Sequence, residues 1–284
     1  MAHSWQFDLE ESVTLEAFVA WFQSRGTEIF SGDLEEPARM MRRLANNRTL
    51  LVDWLNRRLG DLASFQSENF YTPQVFVLHA ERNFVVRVNL WVPPVRRPGE
   101  EMFLYEEAHD HNFDFFTVGY LGPGYRTRIY EYDHAEVVGY PGEAVSASLL
   151  EETTLPFGKV MMFRSGRDIH TQYPPEEFSI SVNVLGQLPE VPPDQYVFDI
   201  EGGRVGQKIN ASAGLVPIKL AGLLGDRESE QLLTELTDHH PARRLRLAAR
   251  EALAMRIGVL QAWKSGVEDP DPLIRRFARR VASA

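Results

Sequence analysis

Hydrophobic positions near the start of the chain recur every three or four residues, the period of a helix with one buried face. The repeat runs through residues 15–22 and returns at 40–44 and 50–55, where arginines fill the opposite face. This pattern predicts helices within residues 9–65.

From about residue 72 the period shortens to two, and Val, Ile, Phe, Tyr and Trp become frequent, as is typical of strands. Turn sequences rich in Gly and Pro, such as Gly122-Pro123-Gly124, separate the runs. Many short strands with regular turns indicate a barrel or a sandwich. The predicted strands cover 74–81, 83–92, 108–120, 126–132, 144–151, 160–163 and 178–185.

After a proline-containing connection at 188–193, the helical period returns over residues 212–284. The segments 245–249 and 274–278, 29 residues apart, share an aliphatic-Arg-x-x-Ala pattern, and Asp269-Pro270-Asp271-Pro272 precedes the second. The pattern resembles HEAT-type helical repeats, in which Pro begins a helix and the aliphatic and Ala positions pack on its neighbour. An ordinary helical cap on the barrel is the alternative.

The change of period predicts three parts. These are an N-terminal helical segment over 1–70, a β-barrel over 71–205 and a C-terminal helical, HEAT-like domain over 206–284. A chain of 284 residues with 44% hydrophobic content is long enough to form them around sizeable cores.

The formal charge of −10 gives the chain no general attraction for nucleic acid. The charge is uneven, because residues 239–284 contain ten Lys and Arg against four Asp and Glu. This tail is either a solvated helical face or a docking surface for an acidic partner.

The chain has no cysteine, which excludes disulfides, thiolate metal ligands and a cysteine nucleophile. Any metal must therefore be held by histidine or carboxylate. The first ten residues lack the pattern of a signal peptide, and no apolar run is long enough to span a membrane. We expect a cytoplasmic protein without membrane contact.

Candidate metal ligands stand in the segment His109-Asp110-His111. On a strand, residues i and i+2 point to the same face, so both imidazoles can bind one ion. The third ligand is predicted to be His170, which lies between the predicted strands 160–163 and 178–185. The rival third ligands are Glu107, Asp114 and His134, while His79 is expected to be a core histidine.

The layout resembles the cupin superfamily over about residues 72–187. A His-x-His pair followed by Gly matches His109-Asp110-His111 and Gly119 or Gly122, and a second motif matches Pro156-Phe157-Gly158, His170 and Asn183. The usual Glu of the first motif falls on Phe115 or Phe116 here. The resemblance implies a mainly β fold, a cupin (double-stranded β-helix) barrel with N-terminal helices and a C-terminal helical domain.

Without that carboxylate, the site is similar to the three-histidine branch represented by cysteine dioxygenase. Tyr71-Thr72, Trp91, the segment 108–111 and His170 occur in the corresponding order. The branch has an Arg just after Tyr-Thr that binds the substrate carboxylate, and this chain has Pro73 there.

The resemblance implies a non-haem iron(II) oxygenase or dioxygenase that uses O₂ without 2-oxoglutarate. Its expected substrate is a small amino-acid-like or thiol-containing anion, free or bound to a carrier or peptide. Arginine and tyrosine side chains are the candidates to bind the anion, and Tyr173 and Arg126 are also the catalytic candidates. The substrate-binding candidates are Arg87, Arg126, Arg128 and Tyr130.

Two alternatives stay open. The barrel can carry isomerase, lyase or hydrolase chemistry with Mn, Ni or Zn in place of iron. It can also be a sensor or binding module without catalysis, with the C-terminal helices making protein contacts. A homodimer is a further option that the resemblance allows.

Overall fold

The computed structural model describes residues 3–60, 74–93, 105–188, 190–209 and 214–283. The chain forms two compact units. Unit 1 contains residues up to His134 and Ala144–Gly206, and unit 2 contains Ala135–Glu143 and the residues from Gln207 onward. The division into 1–70, 71–205 and 206–284 stays a prediction.

The described residues of unit 1 form three α-helices and twelve strands, the last of which continues into Gln207 and Lys208 of unit 2. The helices are α1 (Leu15–Arg25), α2 (Glu35–Asn46) and α3 (Leu50–Arg58). The strands are β1 (His3–Gln6), β2 (Val75–Ala80), β3 (Phe84–Trp91), β4 (Ala108–His109), β5 (Phe115–Leu121), β6 (Arg126–Glu131), β7 (Ser148–Thr154), β8 (Lys159–Phe163), β9 (Asp168–Tyr173), β10 (Ser179–Gly186), β11 (Tyr196–Asp199) and β12 (Arg204–Lys208).

The strands form two six-stranded sheets. Sheet I has the order β1-β8-β5-β10-β3-β2, and sheet II has the order β12-β11-β4-β9-β6-β7. Strands of sheet I and sheet II contribute to one buried cluster that includes Phe115, Phe163 and Ile129, so the inner faces of the sheets pack together. This is a cupin-type barrel, and the predicted fold class is confirmed.

The outer face of sheet I is covered by α1, α2 and α3. Alternate residues of its strands, such as Val86, Val118 and Val184, share a buried cluster with Phe18 and Met41 of the helices. The residues between them along each strand face the barrel interior, because successive side chains point to opposite faces. The apolar face of the helix at 15–22 therefore packs against the apolar face of sheet I, and together they form one buried layer.

The prediction of one strand over 108–120 was wrong. The chain forms β4 in sheet II, leaves it after His109, and enters sheet I as β5 at Phe115. Two acidic side chains hold the crossing: Asp110 accepts from the backbone N–H of Tyr196, and Asp114 accepts from that of Ser165. The alternation of apolar and polar residues does not reveal where the chain passes from one sheet to the other within an apolar segment.

Unit 2 is built from α4 (Leu215–Leu224), α5 (Arg227–His239), α6 (Arg243–Ile257), α7 (Val259–Trp263) and α8 (Pro272–Ala282). Its core contains Leu233, Leu253 and Leu273, with Tyr140 of the short segment 135–143 packed against it. Glu143 accepts hydrogen bonds from the backbone N–H groups of Val138, Gly139 and Tyr140, which shapes that segment.

The 29-residue sequence pattern has a structural counterpart. The Nη1 of Arg246 donates to the carbonyls of His240 and Pro241, and the Nη1 of Arg275 donates to those of Asp269 and Pro270. Each arginine therefore binds the carbonyls six and five residues before it.

None of the described helices combines the length and apolar character needed to cross a membrane.

Candidate metal centre

Strand register places two histidines side by side on sheet II. His109 of β4 lies opposite His170 of β9, and His170 lies opposite Ile129 of β6. Ile129 belongs to the cluster inside the barrel, so this row faces the interior. The residues 168–173 form a strand of their own, which the sequence analysis missed because Arg164, Ser165 and Gly166 interrupt the apolar pattern.

His111 reaches the same point from beyond the end of β4. Its neighbour Asp110 is buried on the other side of the chain, where it accepts from the backbone N–H of Tyr196 (2.6 Å) and from the Tyr132 hydroxyl. The backbone N–H of Gly166 donates to the carbonyl of His111 at 3.0 Å. These contacts fix the backbone on both sides of His111 and direct its ring inward.

The three imidazoles converge through their Nε2 atoms. Nε2 of His170 lies 3.0 Å from Nε2 of His111 and 3.1 Å from Nε2 of His109. The ring centroids are 4.6–5.0 Å apart in all three pairs, so the rings form a nearly equilateral triangle. Among the described residues, these three histidines are the group whose ligand atoms all lie within 4.8 Å of one another.

The spacing fits one cation bound by all three rings. With metal–nitrogen bonds of about 2.1 Å, nitrogens 3.0 and 3.1 Å apart subtend about 90° at the ion. The three imidazoles are therefore close enough to hold one ion together.

Burial keeps the cluster neutral. It lowers the pKa of His109, and together with the neighbouring imidazoles it holds the pKa values of His111 and His170 well below the usual value. Neutral imidazole is the form that binds a metal ion. The Nδ1 of His109 lies 2.9 Å from the carbonyl of Glu107, a contact that directs the Nε2 lone pair toward the cluster.

Aromatic rings support the imidazoles from sheet I. The ring of Phe115 lies 4.8 Å from that of His111, and the ring of Phe163 lies 4.7 Å from that of His170. The Nδ1 atoms of His111 and His170 are buried without a hydrogen-bond partner among the described residues. Three neutral, buried nitrogen donors that point at one another fit a divalent cation.

The rival ligands lie elsewhere. Glu107 is exposed, Asp114 accepts from the backbone N–H of Ser165, and the Nε2 of His134 contacts the carbonyl of Asp194. His79 lies on β2, 3.6 Å from Glu81. The side chains of Asp114, His134 and His79 therefore have structural contacts away from the three histidines.

Four of the predicted catalytic and substrate-binding residues are not brought to the histidines. Arg126, Arg128 and Tyr130 alternate on β6 with Thr127 and Ile129, whose side chains are buried. Since Ile129 faces the interior, the first three face outward. Both arginines contact Glu152, and both guanidinium groups lie over the ring of Tyr173. The even alternation on β6 gave no means of telling the inner face from the outer.

Arg87 is the predicted substrate-binding residue that faces the interior. It lies between Val86 and Val88, which pack under the helices, and its charge contributes to lowering the pKa of His111. Of the residues that carried the likeness to the three-histidine branch, Tyr71, Thr72 and Pro73 lie outside the described residues.

Several polar side chains of the interior were not singled out by their sequence. Thr117 and Ser181 both donate to the Oδ1 of Asn183, and the buried phenol of Tyr125 lies within hydrogen-bonding reach of Thr117. Only Asn183 had a signal, its position in the second cupin motif. The others become recognisable once strand register is known.

No protein-family model matches the chain, and no curated protein matches it. Among solved structures, the chain is similar to a hydroquinone 1,2-dioxygenase from Sphingomonas sp. TTNP3, at 9% identity over 43% of this chain and 70% of that one, with a TM-score of 0.30. It is also similar to a Klebsiella pneumoniae protein with a double-stranded β-helix domain, at 14% identity over 46% and 87%, with a TM-score of 0.26.

A third similar structure is a DMSP lyase from Ruegeria pomeroyi, at 12% identity over 41% of this chain, with a TM-score of 0.25. The match spans about half of that lyase, 48% of its chain. These TM-scores are all below 0.5, so the fold rests on the strand order and the site on its own geometry.

Proposed function

We propose that the chain binds one iron(II) ion through His109, His111 and His170 and acts as a non-haem oxygenase or dioxygenase. Its substrate is a small amino-acid-like or thiol-containing anion, and O₂ is the cosubstrate, without 2-oxoglutarate. The observation that carries the proposal is the convergence of three imidazole Nε2 atoms, two pairs of which lie 3.0 and 3.1 Å apart.

The choice of iron rests on the donor set. Three neutral imidazoles would leave iron(II) with about three coordination positions and its full +2 charge for other ligands. When bound, iron(II) supplies electron exchange with O₂ next to a coordinated anion. Manganese(II), nickel(II) and zinc are also bound by imidazole and are the alternative metals.

The chain itself attracts the substrate and excludes water. Arg87 contributes a positive charge on the inner face within electrostatic reach of His111. Phe115 and Phe163 pack against the imidazoles and keep one side of the cluster dry. The binding of an anionic substrate is therefore stabilised by two positive charges, the Arg87 guanidinium and the metal ion, in a site of low dielectric.

The test begins with protein purified without oxygen and loaded with iron(II). We expect one iron per chain, and O₂ uptake when a panel of amino acids and small thiols is added. His170→Ala is expected to lose both, while His134→Ala and Asp114→Asn keep the metal because these side chains do not point at the cluster. Iron-loaded protein that consumes no O₂ across the panel would contradict the oxygenase activity.

Metal analysis after expression in minimal medium separates the main alternative. Tightly held zinc, with turnover that does not depend on O₂, would favour an isomerase, lyase or hydrolase on the same histidines. A partner retained by His109→Ala, with no turnover by the wild type, would favour a binding module.

We also infer that unit 2 is a pair of HEAT-like repeats that presents a peptide- or carrier-bound substrate. The equivalent contacts of Arg246 and Arg275 support the repeat. The arginine-rich helix α8, which contains no acidic residue, favours an acidic partner. Arg279→Glu combined with Arg280→Glu should raise the KM for a carrier-bound substrate and leave the KM for the free substrate unchanged.

A cytoplasmic location and a homodimer stay predictions.

A further inference from the structure

The inner face of sheet I carries two successive rows of side chains near the histidines. The first row is apolar and runs through Phe163, Phe115 and Leu185, which are register partners on β8, β5 and β10. The second row lies two residues further along each strand, about 6.5–7 Å away. It contains Met161, Thr117, Asn183 and Arg87.

Thr117 and Asn183 of the second row are buried polar residues, and a chain of hydrogen bonds leads to the side-chain oxygen of Asn183. The indole N–H of Trp91 can only donate, and it donates to the Ser181 hydroxyl at 3.0 Å. That hydroxyl is then free to donate its proton to Oδ1 of Asn183, 3.1 Å away. The Thr117 hydroxyl donates to the same oxygen at 2.7 Å.

This arrangement orients the Asn183 carboxamide. Two hydroxyls occupy its oxygen, so its NH₂ group is the end left for another acceptor. The side chain is only 3% exposed, and the structure gives its nitrogen no hydrogen bond with any other described residue. An acceptor atom of a ligand at this nitrogen would therefore add a hydrogen bond and be stabilising.

The neighbours of Asn183 indicate which ligand group would bind beside it. Arg87, its register partner on β3, has only donors and a permanent positive charge. On the far side, the Tyr125 phenol lies within reach of both Thr117 and Gln172. Gln172 follows His170 by two residues on β9 and shares its face, so the polar row borders the histidine site.

We propose that Asn183 determines substrate specificity by donating a hydrogen bond to a carboxylate on the arm of a substrate whose other end binds at the histidines. The inference rests on the proposed function and adds the shape of the substrate: a metal-binding head and a carboxylate carried on a short arm. Thr117 and Ser181 are positioning residues that act through the Asn183 amide.

The test uses full-length protein loaded with cobalt(II), whose visible spectrum reports thiol binding. The probes are 3-mercaptopropionate and 3-mercapto-1-propanol, which share the thiol and chain length and differ in the carboxylate. We expect the wild type to prefer the acid. Asn183→Leu should reduce that preference about tenfold, with the Kd of the alcohol and the cobalt content unchanged.

Two further variants test the positioning role. Thr117→Val removes one hydroxyl without changing the size of the side chain and should reduce the preference about threefold. Thr117→Ser restores the hydroxyl and should restore the preference. Thr154→Val, on the outer face of β7, is the matched control, and we expect it to have no effect.

The outcomes separate this inference from the function on which it rests. Full cobalt content with an unchanged preference in Asn183→Leu overturns the role of Asn183 and leaves the metal site standing. Equal weakening of both probes also overturns it, because cavity collapse would then explain the loss. A wild type that takes up no cobalt overturns the metal site and this inference together.

Discussion

Each imidazole of the cluster is held by a different kind of contact. His170 is fixed by strand pairing on both sides, His109 by pairing and by its Nδ1 contact with Glu107, and His111 by the backbone around it. The last arrangement depends on Asp110, whose pKa burial raises to about 6 against the opposing effect of its hydrogen bonds. A buried carboxylate of this kind is stable only while its donors are present.

At this scale we predict that Tyr132→Phe destabilises the protein. The change removes the hydroxyl that donates to Asp110 and should cost about 1–3 kcal/mol in free energy of unfolding. Tyr130→Phe, on the outward face of β6, should change the free energy of unfolding by less than about 0.5 kcal/mol. Urea unfolding measures both, and equal effects would contradict the importance of the Asp110 contact.

At the scale of the element, the two faces of a strand separate two kinds of arginine. Arg87 faces the barrel interior, whereas Arg126 lies on the outer face of sheet II with Glu152 and Tyr173. We expect Arg87→Ala to weaken azide binding to the cobalt-loaded protein about five- to tenfold, by removing a positive charge in a buried site. Arg126→Ala should leave azide affinity unchanged, and the reverse order would contradict the placement of the two faces.

The turn between β5 and β6 is set by glycine. Gly124 has a φ of +79°, and a Cβ there would stand 1.8 Å from the carbonyl oxygen of Leu155. Gly124→Ala should therefore lower the free energy of unfolding by more than about 2 kcal/mol. Gly142, with a φ of +82° and no atom within 4 Å of its Cβ position, is the control: Gly142→Ala should cost only about 1 kcal/mol. Thermal unfolding distinguishes the two.

At the scale of the whole molecule, the metal ligands all belong to unit 1, and unit 2 has a core of its own. Leu273→Ala creates a cavity in that core and should destabilise it by about 2–5 kcal/mol. Hydrogen exchange should then rise in 215–282 and in 135–143, which packs in the same core, while β4, β9 and the metal content are unaffected.

The exposed Leu224 provides the control for that measurement, since Leu224→Ala should leave exchange unchanged. Increased exchange throughout unit 1 in Leu273→Ala would show that the two units unfold together. It would contradict the prediction that they are separate cooperative units.

The sequence by itself determined the helical and strand regions and the pair His109 and His111, and the cupin resemblance added the barrel and His170. The helical period, the later period of two and the i, i+2 spacing of His109 and His111 are local patterns, and local geometry translates them directly into helices, strands and candidate ligands. The pairing of β4 with β9 decided that His170, and not one of its rivals, joins the pair. Tertiary structure alone decided which strand faces point inward. Arg126 and Arg87 have the same chemistry, yet the first lies on the outer face and the second on the inner, because the packing of sheets and helices chooses the buried side. Register between distant strands likewise produced the Asn183 network, since Trp91, Thr117 and Ser181 meet only when β3, β5 and β10 pair.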